Sequence, residues 1–162
     1  MIQKGDVVWS YLTEEQRTLA GDGAFLISDS LLHRDQEPTD YSYLVFPYAK
    51  LYEGFLKDVF LHLGIIPMSD YMSSRFRIGK VLNPNIVQQL HGKSAFGQLR
   101  DRYGLALAEK LWHAWREGRN LVFHYFPGNF RMLSREQALA TIELLTNAMT
   151  EVLRQTGVIR KE

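Results

Sequence analysis

Apolar residues recur at steps of three and four along much of this sequence, most clearly between Tyr41 and Leu63. Such spacing places them along one face of an α-helix, and that face has to be buried against other elements. The segment therefore predicts an amphipathic helix, and Pro47 should either start the helix proper or kink it. The apolar positions are Leu44, Val45, Leu51, Tyr52, Phe55, Val59 and Leu63.

Capping signals mark the starts of two more helices. Thr13 stands three residues before Gln16, and Ser134 stands three residues before Gln137. This is the spacing of a capping box, in which the two side chains bond to each other's backbone N–H groups at a helix N-terminus. Gly157 follows the second segment at a position where glycine commonly ends a helix.

The remaining segments are assigned by their breakers and their period. The first helix is expected to run on through AFLISDSLLH with an interruption near Gly21–Gly23, and Asp40 is the expected cap of the next helix. Residues 63–85 predict an irregular connector, because they carry two prolines, two glycines and several serines. Asn83-Pro84-Asn85 should then begin a short helix, and LALAEKLWHAWREG predicts a strong one.

These segments contain no convincing strand, so the sequence predicts an all-α fold. We expect an antiparallel bundle of four to five helices with one long connector loop, forming a single domain over residues 1–162. A chain of 162 residues can bury most of its apolar surface. Hydrophobic residues make up 46% and charged residues 23%, the balance of a globular protein.

Composition also excludes some classes of function. The chain has no cysteine, which rules out disulfides, zinc ribbons and thiol nucleophiles and is compatible with a reducing cytoplasm. The net charge is only +1, so any affinity for nucleic acid has to come from a local patch. Because no apolar stretch reaches eighteen residues and the N-terminus lacks the features of a signal peptide, we expect a cytoplasmic protein without a membrane partner.

Three polar residues interrupt the aromatic stretch WREGRNLVFHYFPGN, residues 115–129. They are Arg119, Asn120 and His124, and placing such groups in a dry environment is costly unless they find partners. If the preceding helix continues past Gly118, Asn120 and His124 share one face, four residues apart. Arg119 then falls on the apolar stripe, where an arginine is out of place.

The order Arg, polar residue, three spacers, His, on a late helix of a small all-α domain, resembles the HEPN superfamily. The signature of that superfamily is an Arg, four to six residues and a His, and a polar residue commonly follows the Arg. Here the match is Arg119-Asn120-Leu121-Val122-Phe123-His124. The resemblance implies a metal-independent endoribonuclease that acts on RNA as a toxin or in defence, whose site is completed by formation of a homodimer, with an antitoxin protein as a further partner.

The residue types suit that chemistry on their own. Histidine is the side chain type suited to proton transfer near neutral pH, so His124 can accept the proton of an RNA 2′-hydroxyl or protonate the leaving oxygen. Arginine is the charged side chain type with a planar fork of donors, which Arg119 can present to the scissile phosphate. Asn120 can orient the imidazole or hold a phosphate oxygen. One His cannot easily be both acid and base in a single step, which gives a two-fold pair of motifs a purpose. No cofactor is expected.

The sequence departs from one branch of the superfamily. In HEPN toxins paired with a minimal nucleotidyltransferase antitoxin, the modified residue is a Tyr two positions after the His. Here that position is Phe126, and Tyr125 lies one residue earlier. This difference argues against regulation by adenylylation, and it leaves open a toxin similar to the RNase LS group or an unpaired defence nuclease.

Two other interpretations compete with catalysis. The chain can be a catalytically silent helical module that binds a protein partner or a nucleotide. It can also be a structural bundle, in which Arg119 pairs with Glu117 or another carboxylate and His124 caps a carbonyl before Pro127. Catalysis requires Arg119 and His124 to face solvent or a cleft near a dimer axis, whereas the structural interpretation requires both to be buried and paired. The silent module is favoured if the cleft exists but the symmetry mate leaves His124 far from its twin.

Other motifs carry weaker hypotheses. Arg75, Arg77 and Lys80 surround Phe76 in a basic loop, an arrangement suited to a phosphate backbone and a stacked base, so they are candidate RNA contacts. His113 and Glu117 have ligand-like spacing, but they lack an H-E-x-x-H motif and a third ligand, and no metal site is expected. The aromatic residues near the motif are expected in the core or a dimer interface rather than as a platform for bases: Trp112, Trp115, Phe123 and Phe126.

Overall fold

The structure, a computed structural model, describes residues 2–32, 37–124 and 132–160, and the regular elements within these ranges are all helical. The all-α prediction is therefore confirmed. The α-helices are α1 Val7–Tyr11, α2 Glu14–Leu32, α3 Ser42–His62, α4 Met68–Tyr71, α5 Ile78–Val81, α6 Ala95–Tyr103, α7 Leu105–Trp115 and α8 Arg135–Thr156. Two 3₁₀ turns, Pro84–Ile86 and Gln88–Leu90, precede α6, and a π-helical turn, Arg116–Asn120, follows α7.

Both predicted capping boxes are present. At the start of α2, the Thr13 backbone N–H donates to Gln16 Oε1, and the Gln16 N–H donates to Thr13 Oγ1, each at 3.1 Å. At the start of α8, Ser134 and Gln137 make the same reciprocal pair of bonds. Gly157 ends α8 with a φ of 62°, a left-handed conformation that favours glycine.

Helix α3 lies at the centre of the fold. It packs against α2 and α8 and also contacts α7 and the π-helical turn. Most of its apolar side chains are fully buried, as the helical period predicts. Tyr52 is among them, and its hydroxyl donates to the Leu111 carbonyl of α7 at 3.0 Å, which satisfies a polar group in the core. Pro47 lies inside α3, which begins at Ser42, so of its two predicted roles this proline does not start the helix, and the kink stays a prediction.

Helix α2 runs without a break, contrary to the predicted interruption at Gly21–Gly23. The physical reason is a close helix crossing. A Cβ at Gly23 would lie less than 2.5 Å from the ring of Tyr48, so glycine is needed here for α3 to approach α2. The short helix α1 was not predicted, because five residues are too few to show a helical period.

The predicted connector, residues 63–85, is more ordered than its composition suggests. It contains α4 and α5, each a single turn. Five of its apolar residues are buried in the same core as α3, which fixes the segment in place despite its prolines and serines. These buried residues are Ile65, Ile66, Ile78, Val81 and Leu82. Asn83 caps a 3₁₀ turn rather than the α-helical start that was predicted, and α6 begins only at Ala95.

The described ranges hold eight α-helices, more than the four to five predicted; the five with nine residues or more are α2, α3, α6, α7 and α8. Their antiparallel order and the single domain stay predictions. None of the helices in these ranges is both long enough and apolar enough to cross a membrane.

Candidate active site

The polar motif follows a change of helix type. Helix α7 ends at Trp115, and the next turn is π-helical, with the Leu121 N–H donating to the Arg116 carbonyl at 2.9 Å. The chain leaves the helix before His124, so the prediction that Asn120 and His124 share a helical face is wrong. Single π-helical turns are frequent at functional sites because they shift the register of the side chains that follow.

Gly118 accounts for the position of this turn. A Cβ on Gly118 would lie 2.6 Å from the side chain of Leu145 on α8. A side chain here would force the Leu145 side chain to shift, so glycine favours this close approach of the turn to α8. The packing directs the next residue, Arg119, away from α8 and toward α3.

Arg119 pairs with a carboxylate on α3. Its Nε donates to Glu53 Oε2 at 3.1 Å, and the side chains are 35% and 26% exposed. The guanidinium also lies 5.9 Å from the centre of the Trp115 ring, within the range of a cation–π contact. Arg119 does have a carboxylate partner, as the structural interpretation expected, but that partner is not Glu117, which pairs with Arg116 at 2.7 Å. The pair is only partly buried.

Arg119 and His124 converge on one open cavity of about 320 Å³ between α3 and the end of the π-helical turn. His124 is exposed. Asn120, the third predicted catalytic residue, closes the turn but does not line the cavity. The lining residues are Phe46, Lys50, Glu53, Arg119, Phe123 and His124.

Three of these lining residues were missed from the sequence, and all three belong to α3. Phe46, Lys50 and Glu53 follow one another at steps of four and three, so they share the helix face opposite the buried stripe. The position of Phe46 on the outward face of an amphipathic helix is visible in the sequence and could have indicated a binding surface. The pairing of Glu53 with Arg119 was not, since the two residues are far apart in the sequence.

The charges around the cavity favour an anion. Lys50 and Arg119 bring two cations and Glu53 brings one carboxylate, so the charged side chains that line the cavity carry a net positive charge. In the described part of the chain, no group of three His, Asp or Glu side chains is placed to hold a metal ion.

The basic loop lies outside this cavity. Arg75, Arg77 and Lys80 are exposed, and none of them is a lining residue. The Arg77 guanidinium donates to the carbonyls of Ser74 and Phe76 at 2.7 and 3.0 Å. The Phe76 ring packs against the core with the Lys57 ammonium 5.8 Å from its centre, so this ring is not an open platform for a base. Contact of the loop with RNA stays a prediction.

The aromatic residues near the motif separate into two groups. Trp112 and Trp115 stack on each other at 5.5 Å and pack against the core, as predicted. Phe123 is instead 38% exposed and meets Phe46 edge-on. Predictions that concern Tyr125, Phe126 and Pro127 fall outside the described residues.

Comparisons of this chain with protein-family models, with curated proteins and with solved structures found no match.

Proposed function

We propose that this protein is a metal-independent endoribonuclease of the HEPN type that cleaves single-stranded RNA in a toxin–antitoxin or defence context. The observation that carries the proposal is the convergence of Arg119, His124 and Glu53 on one open cavity. An arginine, an imidazole and a carboxylate provide the charge stabilisation and the two proton transfers that cleavage of RNA through its own 2′-hydroxyl needs.

The proposed reaction is an internal displacement. The 2′-oxygen forms a bond to the adjacent phosphorus while the bond from phosphorus to the 5′-oxygen of the next nucleotide breaks. One group takes the 2′-hydroxyl proton, and another gives a proton to the departing 5′-oxygen. The products are a 2′,3′-cyclic phosphate and a 5′-hydroxyl. Arg119 would stabilise the charge that grows on the phosphate oxygens, and Lys50 on the same cavity would hold a neighbouring phosphate.

Glu53 supplies what the hexapeptide motif lacks. In the cavity, one chain offers two groups that transfer protons, the Glu53 carboxylate as base and the His124 imidazole as acid. When Arg119 turns from Glu53 to a phosphate, the carboxylate becomes available to the 2′-hydroxyl. A homodimer would then bring two sites together without being needed to complete either of them.

A second candidate is a catalytically silent HEPN-like module that binds a nucleotide or a protein partner. The Glu53–Arg119 ion pair favours it, since a guanidinium already held by a carboxylate has to give up that bond before it can bind a phosphate. Such a module would bind nucleotides at the same cavity and leave RNA intact.

The experiment is a cleavage assay in EDTA with single-stranded RNA and with DNA of the same sequence. The proposal predicts that the RNA is cut, that the products carry cyclic phosphate and 5′-hydroxyl ends, and that the DNA survives because it lacks the 2′-hydroxyl. Activity that disappears with chelation and returns with magnesium would contradict the mechanism. Binding without cleavage would favour the silent module.

A further inference from the structure

Two aromatic rings stand at the cavity beside the proposed catalytic groups. Phe46 of α3 and Phe123 meet edge-on, with ring centres 5.7 Å apart and planes at 89°. Both line the cavity, and they are 56% and 38% exposed. In an edge-on pair, at least one face of each ring is not used by the other ring. Exposed aromatic surface next to charged groups is typical of a binding site.

The order of groups along α3 matches the parts of a nucleotide. Phe46, Lys50 and Glu53 lie along one helix face, and Arg119 joins this row through its bond to Glu53. The distance along the helix from Phe46 to Glu53 is about 10 Å, at about 1.5 Å per residue. An apolar ring thus stands at one end of the row, and the cations that suit a phosphate follow. Packing of the core does not require this order of residues, because they lie on the face of α3 that points away from the core.

We propose that Phe46 and Phe123 form a nucleobase subsite, which stacks an unpaired base and so places the adjoining phosphate on Arg119. The inference deepens the proposed function and rests on it. It specifies the substrate class as RNA whose base is unpaired at the point of cleavage, because a base inside a duplex has no free face to offer. Base identity matters little to such a subsite, since every base has a π-face.

The test measures binding with a probe that cannot be cut. The probe is a short, fluorescein-labelled 2′-O-methyl uridine oligonucleotide, and its partner is the same backbone without bases. Phe46→Leu and Phe123→Leu keep apolar bulk but remove the aromatic face. The matched control is Phe25→Leu, because Phe25 is an exposed aromatic residue of α2 that does not line the cavity.

For both cavity variants, we expect binding of the uridine probe to weaken by at least about 5-fold, the lower range for a base–aromatic stack. The cavity variants should bind the baseless probe as the wild type does. The Phe25→Leu control should bind both probes as the wild type does. Thermal melting of each variant shows that it is folded. If Phe46→Leu does not fold, Phe123→Leu alone decides the test, with the same loss expected on the uridine probe.

The base subsite would be overturned if the cavity variants lost the same factor in affinity for both probes. It would also be overturned if both cavity variants bound the uridine probe as tightly as the wild type does. A cavity variant that alters self-association in sedimentation but binds the uridine probe normally would overturn it as well, because the rings would then belong to an interface between two copies. If the base subsite is overturned but the wild-type protein cleaves RNA in EDTA, the ribonuclease proposal still holds. Base-dependent binding without any cleavage keeps the subsite and removes the ribonuclease.

Discussion

Arg119 is the residue whose environment most clearly separates function from fold. A fully buried ion pair is strongly destabilised when one partner is removed, by about 3–5 kcal/mol. The pair of Arg119 with Glu53 is partly exposed, and the cation–π contact with Trp115 adds only a modest amount. The structure therefore makes Arg119 a minor contributor to stability.

We expect Arg119→Ala to lower the free energy of unfolding by less than about 2 kcal/mol, the sum of an exposed ion pair and a cation–π contact. Urea unfolding of the variant beside Arg116→Ala measures this. Arg116 is a suitable control because it also pairs with a glutamate but does not line the cavity. A loss of about 3–5 kcal/mol for Arg119→Ala alone would show that the pair is structural.

Some residues of the site could be predicted from the sequence, and others could not. Arg119 and His124 were found because a charged or titratable side chain in an apolar run needs a reason. Glu53 was not found, because an exposed glutamate on a long helix is ordinary and its partner comes from a distant segment. Asn120 was assigned to the site on the assumption of a regular α-helix, and the π-helical turn removed that assumption.

At the scale of elements, the predictable part of the fold is the part set by local rules. Both capping boxes and the long amphipathic helix α3 follow from side-chain chemistry within a few residues. The unbroken α2 and the π-helical turn depend on distant contacts, namely Gly23 against Tyr48 and Gly118 against Leu145. No local pattern reveals such contacts, since in sequence these glycines look like helix breakers.

Gly118→Ala should disturb the π-helical turn. The added methyl group would overlap the Leu145 side chain, and overpacking of this kind costs about 1–3 kcal/mol. Gly21→Ala is the matched control, because a Cβ there meets nothing within 4 Å and alanine should stabilise α2 by about 0.5–1 kcal/mol. Thermal melting should move in opposite directions for the two variants. A Gly118→Ala protein as stable as the wild type would contradict the packing described for this turn.

Asp40 ties the start of α3 to the segment before α8. Its Oδ1 accepts bonds from the Ser42 N–H and hydroxyl and from the Leu133 N–H, at 2.9, 2.6 and 3.1 Å. Partial burial alone would raise the pKa of Asp40, but these hydrogen bonds outweigh it and hold the pKa below the ordinary value of 3.8. The stabilisation is therefore present above pH 3.8 and is lost as the pH falls through the lowered pKa of the folded state.

Asp40→Asn should remove this part of the acid sensitivity. At neutral pH we expect the variant to be less stable by on the order of 1 kcal/mol, because charge-assisted bonds are replaced by neutral ones at a partly exposed site. As the pH falls through the lowered pKa of Asp40 the difference should shrink, because the wild-type carboxyl then becomes protonated. Urea unfolding at a series of pH values measures both. A difference that stays constant with pH would contradict the assigned role of the carboxylate.

At the scale of the whole molecule, the open question is assembly. The two-fold arrangement implied by the HEPN resemblance predicts a C2 dimer, in which the same surface of each copy is used. Sedimentation at micromolar concentration tests this. A strict monomer that still cleaves RNA would show that Glu53 and His124 suffice in one chain. If the cleavage rate per chain falls on dilution in parallel with the dimer fraction, the two chains of the dimer share the site.

The most direct test of the central claim is the rate of RNA cleavage in EDTA by variants of the two ion pairs. Arg119→Ala and Glu53→Gln change the pair that lines the cavity, and Arg116→Ala and Glu117→Gln change the pair that does not. We predict that each cavity variant loses about 10²–10⁴-fold in rate while both controls cleave as the wild type does. Wild-type rates in Arg119→Ala and Glu53→Gln would show that the cavity between α3 and the π-helical turn is not the active site.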